Sequence, residues 1–570
     1  MMKQYILIAI LGLSAQIQAQ TSAKDTAFQK SLVLEKEYIP TIDKASKINF
    51  LPEITEPQAP QVKIEFSNYS VPFNVKPEPA QAEAAKFFED LNVSKKRGYI
   101  QAGVSTFVDI DGDAGYQLLN SKTDDLSIWL THRSSSGNVK SLQTDEKMKL
   151  KLNDNTGAFR YSHNFDSSKL FADAKYTYSE FNYYGGLRSE LFNPNPFFAD
   201  TLQTNNIFDA NLGFLSKDTY PLNFLLGVNF VHFEQKEYLL SNENGNRLKE
   251  NTLKANFDFN KDFDGDKMIG LAGYYRKNLY SIQTITSYKN YSDLTLNPYF
   301  KMEGDNWKMH LGASAHLLAK QSKTFLYTPD VEFSFRPYES GLFYLTAKGE
   351  VADNSNSKVF NENRYVLPFV RVLDSYTRFD GTAGFKTTLS GIFDIDFYAG
   401  YKTTQQEHFY LPHILIHNQG YYAWNSFSAI YYDTKVFKLG TNLKYQYGKM
   451  FDLSLKATYY NWKVDETGNE AWNKPTLVSD LTAGFQFQTI PLRADLAYHL
   501  ETGRKGYDFF NDDIVNMKNI NDINLIGTYT FNDTFSIFAR IDNLLNQRYD
   551  IWYGYPAQGL RFMGGLNVKF

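Results

Sequence analysis

Apolar and polar positions alternate along the last eleven residues of the chain. Every second position is apolar or small: Leu560, Phe562, Gly564, Leu566, Val568 and Phe570. The positions between them include Arg561, Asn567 and Lys569. Because successive side chains of a strand point to opposite faces, this pattern predicts a strand with one apolar and one polar face. A chain that ends on such a strand and on an aromatic residue is typical of an outer-membrane barrel, whose last strand closes against the first.

The same alternation recurs from Gly98 onward, for example at 451–459, 492–500 and 535–542. Short turns rich in Asp, Gly, Asn and Ser separate many paired segments, and longer polar loops are predicted near 136–155, 186–205, 240–247, 353–374, 410–434, 464–475, 504–517 and 548–557. This alternation of short turns and long loops predicts an all-β, antiparallel transmembrane β-barrel with its short turns in the periplasm.

Residues 98–570 accommodate about 22 strands, since a crossing strand needs about 9–11 residues. The predicted strands at the two ends of this region are 99–107, 114–120, 125–135, 157–166, 169–184, 518–532, 534–545 and 558–570.

Residues 1–19 predict a signal peptide. Lys3 precedes a short apolar run at 5–13, and Ala19 is a small residue at the expected cleavage point. The run is too short to span a bilayer, which favours export over anchoring. The content of 16% aromatic residues would also be compatible with a large soluble β-protein such as a propeller. The predicted export signal favours the barrel over that alternative.

Composition also excludes several kinds of chemistry. The chain has no cysteine, which rules out disulfides, thiolate metal sites, a cysteine nucleophile and a lipid-modified cysteine. The 59 basic and 63 acidic residues are interspersed, and no basic stripe indicates nucleic acid as a partner.

Residues 20–97 differ from the rest of the chain. Seven of the 18 prolines fall between Pro40 and Pro79, and proline at this density forbids helix interiors and central strands. We interpret 20–97 as an extended, proline-rich periplasmic segment, with one short helix at 80–91. A disordered tether is the alternative, although scattered apolar residues in the segment favour burial against a partner surface, in the periplasm or at the cell surface.

The carboxy-terminal region, residues 541–570, resembles the end of TonB-dependent receptors. Such receptors end with an Asn-Leu-x-Asn turn, a Tyr-Pro loop and an aromatic terminus, and the matching positions are Asn543, Leu544, Asn546, Tyr549, Tyr555, Pro556, Gly559 and Arg561. The resemblance implies a barrel of about 22 strands in the cell outer membrane. It also implies insertion into the lipid bilayer by the barrel-assembly machinery through a terminal signal, which we assign to Phe562, Leu566, Val568 and Phe570.

One departure from that family concerns what fills the barrel. The family places a folded plug domain and a short TonB-contacting box before the barrel, and residues 20–97 contain neither in recognisable form. A barrel of this size without a filling would hold a wide lumen. We therefore expect a stopper made by residues 20–97, by inward-bent loops or by a partner.

Two sets of residues have the composition of metal sites. Asp109, Asp111 and Asp113 resemble the start of a calcium loop, but Ala114 and Asn120 stand where an EF-hand requires Gly and Glu. Ordinary turn chemistry is the preferred interpretation there and at 262–266.

The second set, His408, His413 and His417, falls on one predicted outer loop, where we favour simple surface exposure. We predict no cofactor, no metal site and no enzymatic activity.

Two functions remain open at this point. In the first, the chain is a plugless relative of TonB-dependent receptors that acts as a solute channel or receptor. In the second, it is a non-transporting membrane scaffold or an accessory subunit of an envelope-assembly, secretion or surface-uptake complex.

Overall fold

The structure is a computed structural model that describes residues 96–185, 202–217, 222–236, 247–281, 290–319, 323–367, 372–417, 420–465, 468–509 and 511–570. The predicted signal peptide, the proline-rich segment up to residue 95 and the predicted helix at 80–91 lie outside these ranges.

Twenty-two strands form one closed antiparallel sheet, in which each strand pairs with the next one along the chain. They are β1 (Gly98–Ser105), β2 (Ile110–Asn120), β3 (Asp124–Ser135), β6 (Leu152–Asn164), β7 (Ser168–Asn182), β8 (Leu202–Ser216), β9 (Leu222–Lys236), β10 (Arg247–Phe263), β11 (Lys267–Tyr280), β12 (Tyr291–Gly304), β13 (Trp307–Ala319), β14 (Lys323–Tyr338), β15 (Gly341–Ala352), β16 (Ser375–Leu389), β17 (Phe393–His417), β18 (Gly420–Tyr447), β19 (Phe451–Val464), β20 (Leu477–Gln486), β21 (Leu492–Thr502), β24 (Ile520–Thr530), β25 (Phe535–Asp542) and β28 (Arg561–Lys569).

The connections carry shorter elements. Three small hairpins are formed by β4 (Asn138–Lys140) with β5 (Lys147–Lys149), β22 (Lys505–Asp508) with β23 (Asp513–Asn516), and β26 (Asp550–Trp552) with β27 (Tyr555–Pro556). The helix α1 (Asn356–Glu362) lies between β15 and β16. Among the described residues, no helix is long and apolar enough to cross a bilayer.

The first and last strands close the barrel. β28 pairs antiparallel with β1 from Ser105 opposite Met563 to Tyr99 opposite Lys569. Gly98 and Phe570 then exchange two backbone hydrogen bonds, at 2.8 and 2.9 Å. Closure leaves no open sheet edge, which a strand protein needs in lipid. The predicted antiparallel barrel of about 22 strands is confirmed.

The wall has an apolar outer face and a polar inner face. In β10, Leu253 and Phe259 are exposed on the outside, whereas Glu250 and Thr252 are buried on the inside. Oppositely charged side chains pair along the inner face, as in Lys438–Asp380 at 2.7 Å and Arg540–Asp111 at 2.9 Å. On the same face, His310 lies 2.9 Å from Asp330. The alternation read from the sequence therefore separates the lipid-facing surface from the lumen.

Two predicted connections are wrong in part. Asp111 and Asp113 lie inside β2 and not in a turn, because their carboxylates pair with Arg540 and Arg133 at 2.9 and 2.7 Å. Most of the predicted loop 410–434 is strand, since β17 and β18 remain paired as far as His417 and Gly420. Aromatic and β-branched residues in that stretch favour extended structure over a loop. The turn at 262–266 is confirmed at Asp264 and Gly265, which both adopt positive φ, at 60° and 68°.

Candidate functional site

The long connection between β15 and β16 crosses the end of the barrel that carries the long loops. We call its residues 353–367 the crossbar. It contains α1, of which Asn356, Ser357, Val359 and Phe360 are buried. The crossbar is held at both ends of α1 and beyond it, and each attachment uses a different part of the barrel.

The amino-terminal end of α1 is capped by a carboxylate from β10. Glu250 accepts hydrogen bonds from the backbone N–H and the side-chain amide of Asn356, at 2.9 and 2.8 Å, and a longer one from the Ser357 N–H at 3.4 Å. The N-cap residue, Ser355, makes no side-chain cap bond. The carboxyl oxygens at this position accept hydrogen bonds from N–H groups that have no partner within the helix.

The carboxy-terminal end of α1 is tied to β17 and to the loop after β19. Glu362 accepts hydrogen bonds from His408 Nε2, from the Tyr410 hydroxyl at 2.9 Å and from Lys474 Nζ at 3.1 Å. Burial acts to raise the pKa of Glu362, but the Lys474 ammonium and the His408 imidazole outweigh it and hold that pKa below its ordinary value. Glu362 is therefore ionised at neutral pH.

Arg364 reaches the far wall. Its two terminal nitrogens donate to the two oxygens of Asp154 in β6, at 3.2 and 3.0 Å. In the ring of 22 strands, β6 is the fourth and β17 the fifteenth, eleven strands apart by either route. The crossbar thus extends from Asp154 in the wall strand β6 to the part of β17 that continues past its last pairing with β16, at Gln405.

Aromatic rings from many loops pack around the crossbar. The Tyr365 ring stacks on Tyr555 with 4.0 Å between centroids, and the Tyr184 ring meets Tyr365 edge-on at 5.7 Å. On the other side, Phe360 packs against Phe181 at 5.7 Å and Phe233 at 5.8 Å. The buried side chains that complete the first group are Val139, Met148, Val359, Val366, Tyr410, Phe427 and Trp552. Buried aromatic pairs of this kind contribute about 0.5–1.5 kcal/mol each beyond their burial.

A buried ionic group supports the start of the crossbar. Arg276 lies 2.7 Å from Asp293 and 3.3 Å from Asp353, and all three side chains are almost fully buried. Asp353 also accepts hydrogen bonds from Tyr291 at 2.8 Å and Asn278 at 3.2 Å. Removing one partner of a buried pair typically costs about 3–5 kcal/mol, so this group fixes the point where the chain leaves the wall.

The residues of the predicted carboxy-terminal motif build the connection between β25 and β28. Asn543 and Asn546 both adopt positive φ, at 49° and 46°. The Asn543 side-chain amide donates to the carbonyls of Gln547 and Gln558 at 2.9 and 3.0 Å, and Asn546 Oδ1 accepts from the Leu560 N–H at 3.0 Å. These bonds fold the outgoing and returning chain together.

The rest of the motif anchors the same connection. The Tyr549 hydroxyl donates to Asp522 at 2.9 Å. Arg561 pairs with Asp542 at 2.7 Å and with Asp109 at 2.9 Å, while Tyr555 lies in the aromatic cluster around the crossbar. The remaining members are Pro556, which lies in β27, Leu544, which is exposed, and Gly559, which lies close to Asn546.

The assigned insertion signal lies on the outer face of β28. Phe562, Leu566 and Phe570 are exposed there, and Val568, at an alternate position of the strand, lies on the same face. This position agrees with lipid contact, and the role in insertion stays a prediction.

The candidate metal residues are not brought together. His408 is buried and binds Glu362, so the predicted surface exposure is wrong for this residue. His413 Nδ1 lies 2.6 Å from the Ser428 hydroxyl. The side chain of His417 lies outside what the structure describes, and the described part of the chain holds no group of three metal-binding side chains. Asp109 accepts from Ser105 and pairs with Arg561.

Sequence reasoning missed Glu250, Glu362 and Arg364. The run Asp353-Asn354-Ser355 is typical of a helix start and could have predicted α1. No local signal gives the strands on which its two ends rest.

No protein-family model and no curated protein matches the chain. Solved structures do. The FrpB iron transporter from Neisseria meningitidis (F3-3 variant) matches with a TM-score of 0.66 at 11% identity, over 84% of this chain and 82% of that one. The siderophore receptor PirA from Acinetobacter baumannii matches with a TM-score of 0.65 at 10% identity, over 83% and 80%. The copper transporter OprC matches with a TM-score of 0.60 at 11% identity, over 83% and 80%.

At these identities the likeness concerns the fold alone. The similar structures are named as transporters and receptors, and each aligns with 83–84% of this chain. The expectation of a barrel similar to that of TonB-dependent receptors is thereby confirmed at the level of the fold.

Proposed function

We propose that this chain is an outer-membrane receptor or channel for a solute, with a mouth that its own crossbar closes at rest. The long-loop end faces outward and the short turns face the periplasm. Support comes from the polar inner wall and from the fold, which the iron transporter FrpB and the siderophore receptor PirA share. The proposal includes the sequence-based expectations of a signal peptide at 1–19, a periplasmic segment at 20–97 and insertion by the barrel-assembly machinery.

One observation carries the closed mouth. The crossbar pairs with Asp154 in the wall strand β6 and with His408 in β17, where β17 extends past its pairing with β16. The two strands are eleven positions apart in the ring of 22. A segment held at both sides and surrounded by packed aromatic rings leaves little room for a solute to pass. Transport therefore requires the crossbar to move.

A second function, a non-transporting scaffold, is favoured by the buried ions under the crossbar. The start of the crossbar is fixed by the buried ionic group of Arg276, Asp293 and Asp353, which is costly to break. A mouth braced in this way would suit a rigid platform for a periplasmic or surface partner.

Single-channel conductance in planar bilayers separates the two functions. Four mature proteins are compared: the intact chain, a chain in which a short Gly-Ser linker replaces 354–373, a chain that lacks 20–96, and a chain with both changes. The control replaces the β22–β23 hairpin, 505–516, which packs on the neighbouring loops through Trp472 and Tyr553.

We expect the intact chain and the control to stay closed and the linker variant to open. If opening requires both changes, residues 20–96 contribute to closure as well. If all four proteins stay closed while inserted and folded, the channel is excluded and the scaffold is supported.

A further inference from the structure

Three neutral amide side chains form a group on the inner wall beside the crossbar. Gln203 and Asn205 lie two residues apart on β8, so both point to the same face. Gln235 of β9 pairs directly with Asn205. Their face is the inner one, because Gln203 lies opposite Phe181, the residue on which Phe360 of α1 packs. We call these three residues the amide cluster.

The amide cluster is buried and unsatisfied. Gln203, Asn205 and Gln235 are only 1%, 1% and 3% exposed. Neither polar atom of the Gln203 and Asn205 side chains, nor Nε2 of Gln235, has a hydrogen-bond partner in the described part of the chain. Most buried polar side-chain atoms in proteins are hydrogen-bonded, and leaving one unpaired is costly. A group of five such atoms in one place therefore indicates a site kept for something that binds there.

The chemistry of the cluster restricts what can bind. Each carboxamide offers both a donor and an acceptor and carries no charge. The nearby carboxylate of Glu250 is already used by the Asn356 and Ser357 amides at the start of α1. A ligand with many groups that both donate and accept, and without net charge, matches this arrangement. Sugar hydroxyls have that property.

We propose that Gln203, Asn205 and Gln235 bind a neutral oligosaccharide on the inner wall beside the crossbar. This inference rests on the proposed receptor function and names its ligand class. The crossbar controls access, because Phe360 packs on Phe181 and Phe233, which flank the amide cluster on β7 and β9. Binding and movement of the crossbar are therefore coupled.

Isothermal titration of the purified full chain in detergent tests the proposal. The probes are maltohexaose and cellohexaose, with hexa-alanine amide as a neutral peptide. Phe360→Ala is used beside the native chain to loosen the crossbar. We expect a hexasaccharide to bind, more tightly in Phe360→Ala, and Asn205→Asp to weaken binding about tenfold, as expected for lost ligand hydrogen bonds.

Two further variants give the controls. Asn442→Leu removes an inner-wall amide near the short-turn end, which donates to Asp396 at 3.0 Å, and it should leave binding unchanged. The double variant Gln203→Leu/Asn205→Leu should abolish binding and raise the thermal midpoint, because apolar side chains replace unsatisfied amides. Heat-modifiable migration on gels confirms that each variant is folded.

Failure of both hexasaccharides to bind even Phe360→Ala overturns the proposal, and so does equal binding by Asn205→Asp. Binding of hexa-alanine amide alone would assign a peptide ligand instead. A rise in thermal midpoint without any ligand binding would mean that the cluster holds a buried water shell only. None of these results alters the conductance of the linker variant, so the proposed function and the ligand class fail separately.

Discussion

Arg364 and Asp154 join two parts of the chain that are 210 residues apart in sequence, through two hydrogen bonds of 3.2 and 3.0 Å across the barrel mouth. Arg364 belongs to the connection between β15 and β16, the thirteenth and fourteenth strands of the ring, whereas Asp154 lies in the fourth. A two-pronged arginine–carboxylate pair fixes orientation as well as distance. This contact therefore holds the connection between β15 and β16 in place across the barrel mouth.

Removing the Arg364 charge should loosen the crossbar. The two side chains are 28% and 23% exposed, so we expect the pair to contribute about 1 kcal/mol, between exposed and buried ion pairs. Arg364→Gln should speed hydrogen exchange of residues 353–367 several-fold. The charge exchange Arg364→Asp/Asp154→Arg should restore much of the protection. Equal exchange in the native chain and Arg364→Gln would show that the aromatic cluster alone holds the crossbar.

The carboxylate of Glu362 should make the carboxy-terminal end of α1 insensitive to mild acid. Its pKa lies below the ordinary value of 4.5 in the folded chain. A carboxyl whose pKa is lowered by folding stabilises the folded arrangement above its ordinary pKa, and this stabilisation is lost as the pH falls below it. Exchange of residues 361–365, next to Glu362 and at the end of α1 away from Glu250, should therefore be constant from pH 7 to pH 5 and rise only in stronger acid, after correction for the intrinsic pH dependence of exchange.

Glu362→Gln provides the matched control for that titration. It keeps the size of the side chain but removes the negative charge beside Lys474 and His408. We expect faster corrected exchange of the crossbar already at pH 7, and a weaker further change in acid. Faster exchange of residues 361–365 in the native chain at pH 5 than at pH 7 would contradict the assigned role of Glu362.

The barrel could be predicted from sequence because its signal is local. Alternation along β28 and β25 follows from which face meets lipid, and predicted bounds such as 125–135 agree with β3 at Asp124–Ser135. The predicted strand bounds were wrong where a short sequence is compatible with both a turn and a strand. The Asp-Gly pair at Asp111 and Gly112 is common in turns, yet here Asp111 lies in a strand because Arg540, far away in sequence, pairs with it.

The crossbar could not be predicted, because its structure depends on residues brought together only by closure of the ring. Glu250 caps α1 from 106 residues away, and nothing near residue 356 in sequence specifies that partner. The sequence did indicate that inward-bent loops were one way to fill the lumen. The amide cluster could not be predicted either, because isolated Gln and Asn residues in a strand form no recognisable sequence motif.

The terminal phenylalanine should be needed for assembly rather than for the stability of the finished barrel. Phe570 is 51% exposed on the outer face, and its backbone closes the ring with Gly98. Because Phe570→Ser keeps both backbone bonds, we expect a lower yield of folded, heat-modifiable barrel in membranes but a thermal midpoint close to native. Phe531→Ser is the control, as Phe531 is similarly exposed, at 54%, in a short turn at the same end. Equal loss of yield in both variants would indicate a general need for exposed aromatic residues instead of a terminal signal.

The side chain of Asn543 should contribute more to the free energy of unfolding than its positive φ requires of the backbone. Its amide nitrogen donates to the carbonyls of Gln547 and Gln558, and its Oδ1 accepts from the Gln547 N–H at 2.8 Å, all in a buried position. Asn543→Gly relieves the positive φ but loses all three bonds, whereas Asn543→Ala also adds strain of about 1–2 kcal/mol. We expect the glycine variant to lower the free energy of unfolding by about 1–3 kcal/mol and the alanine variant by more. Urea unfolding in detergent micelles measures both, and an Asn543→Gly chain as stable as the native one would reduce the motif to a requirement for positive φ alone.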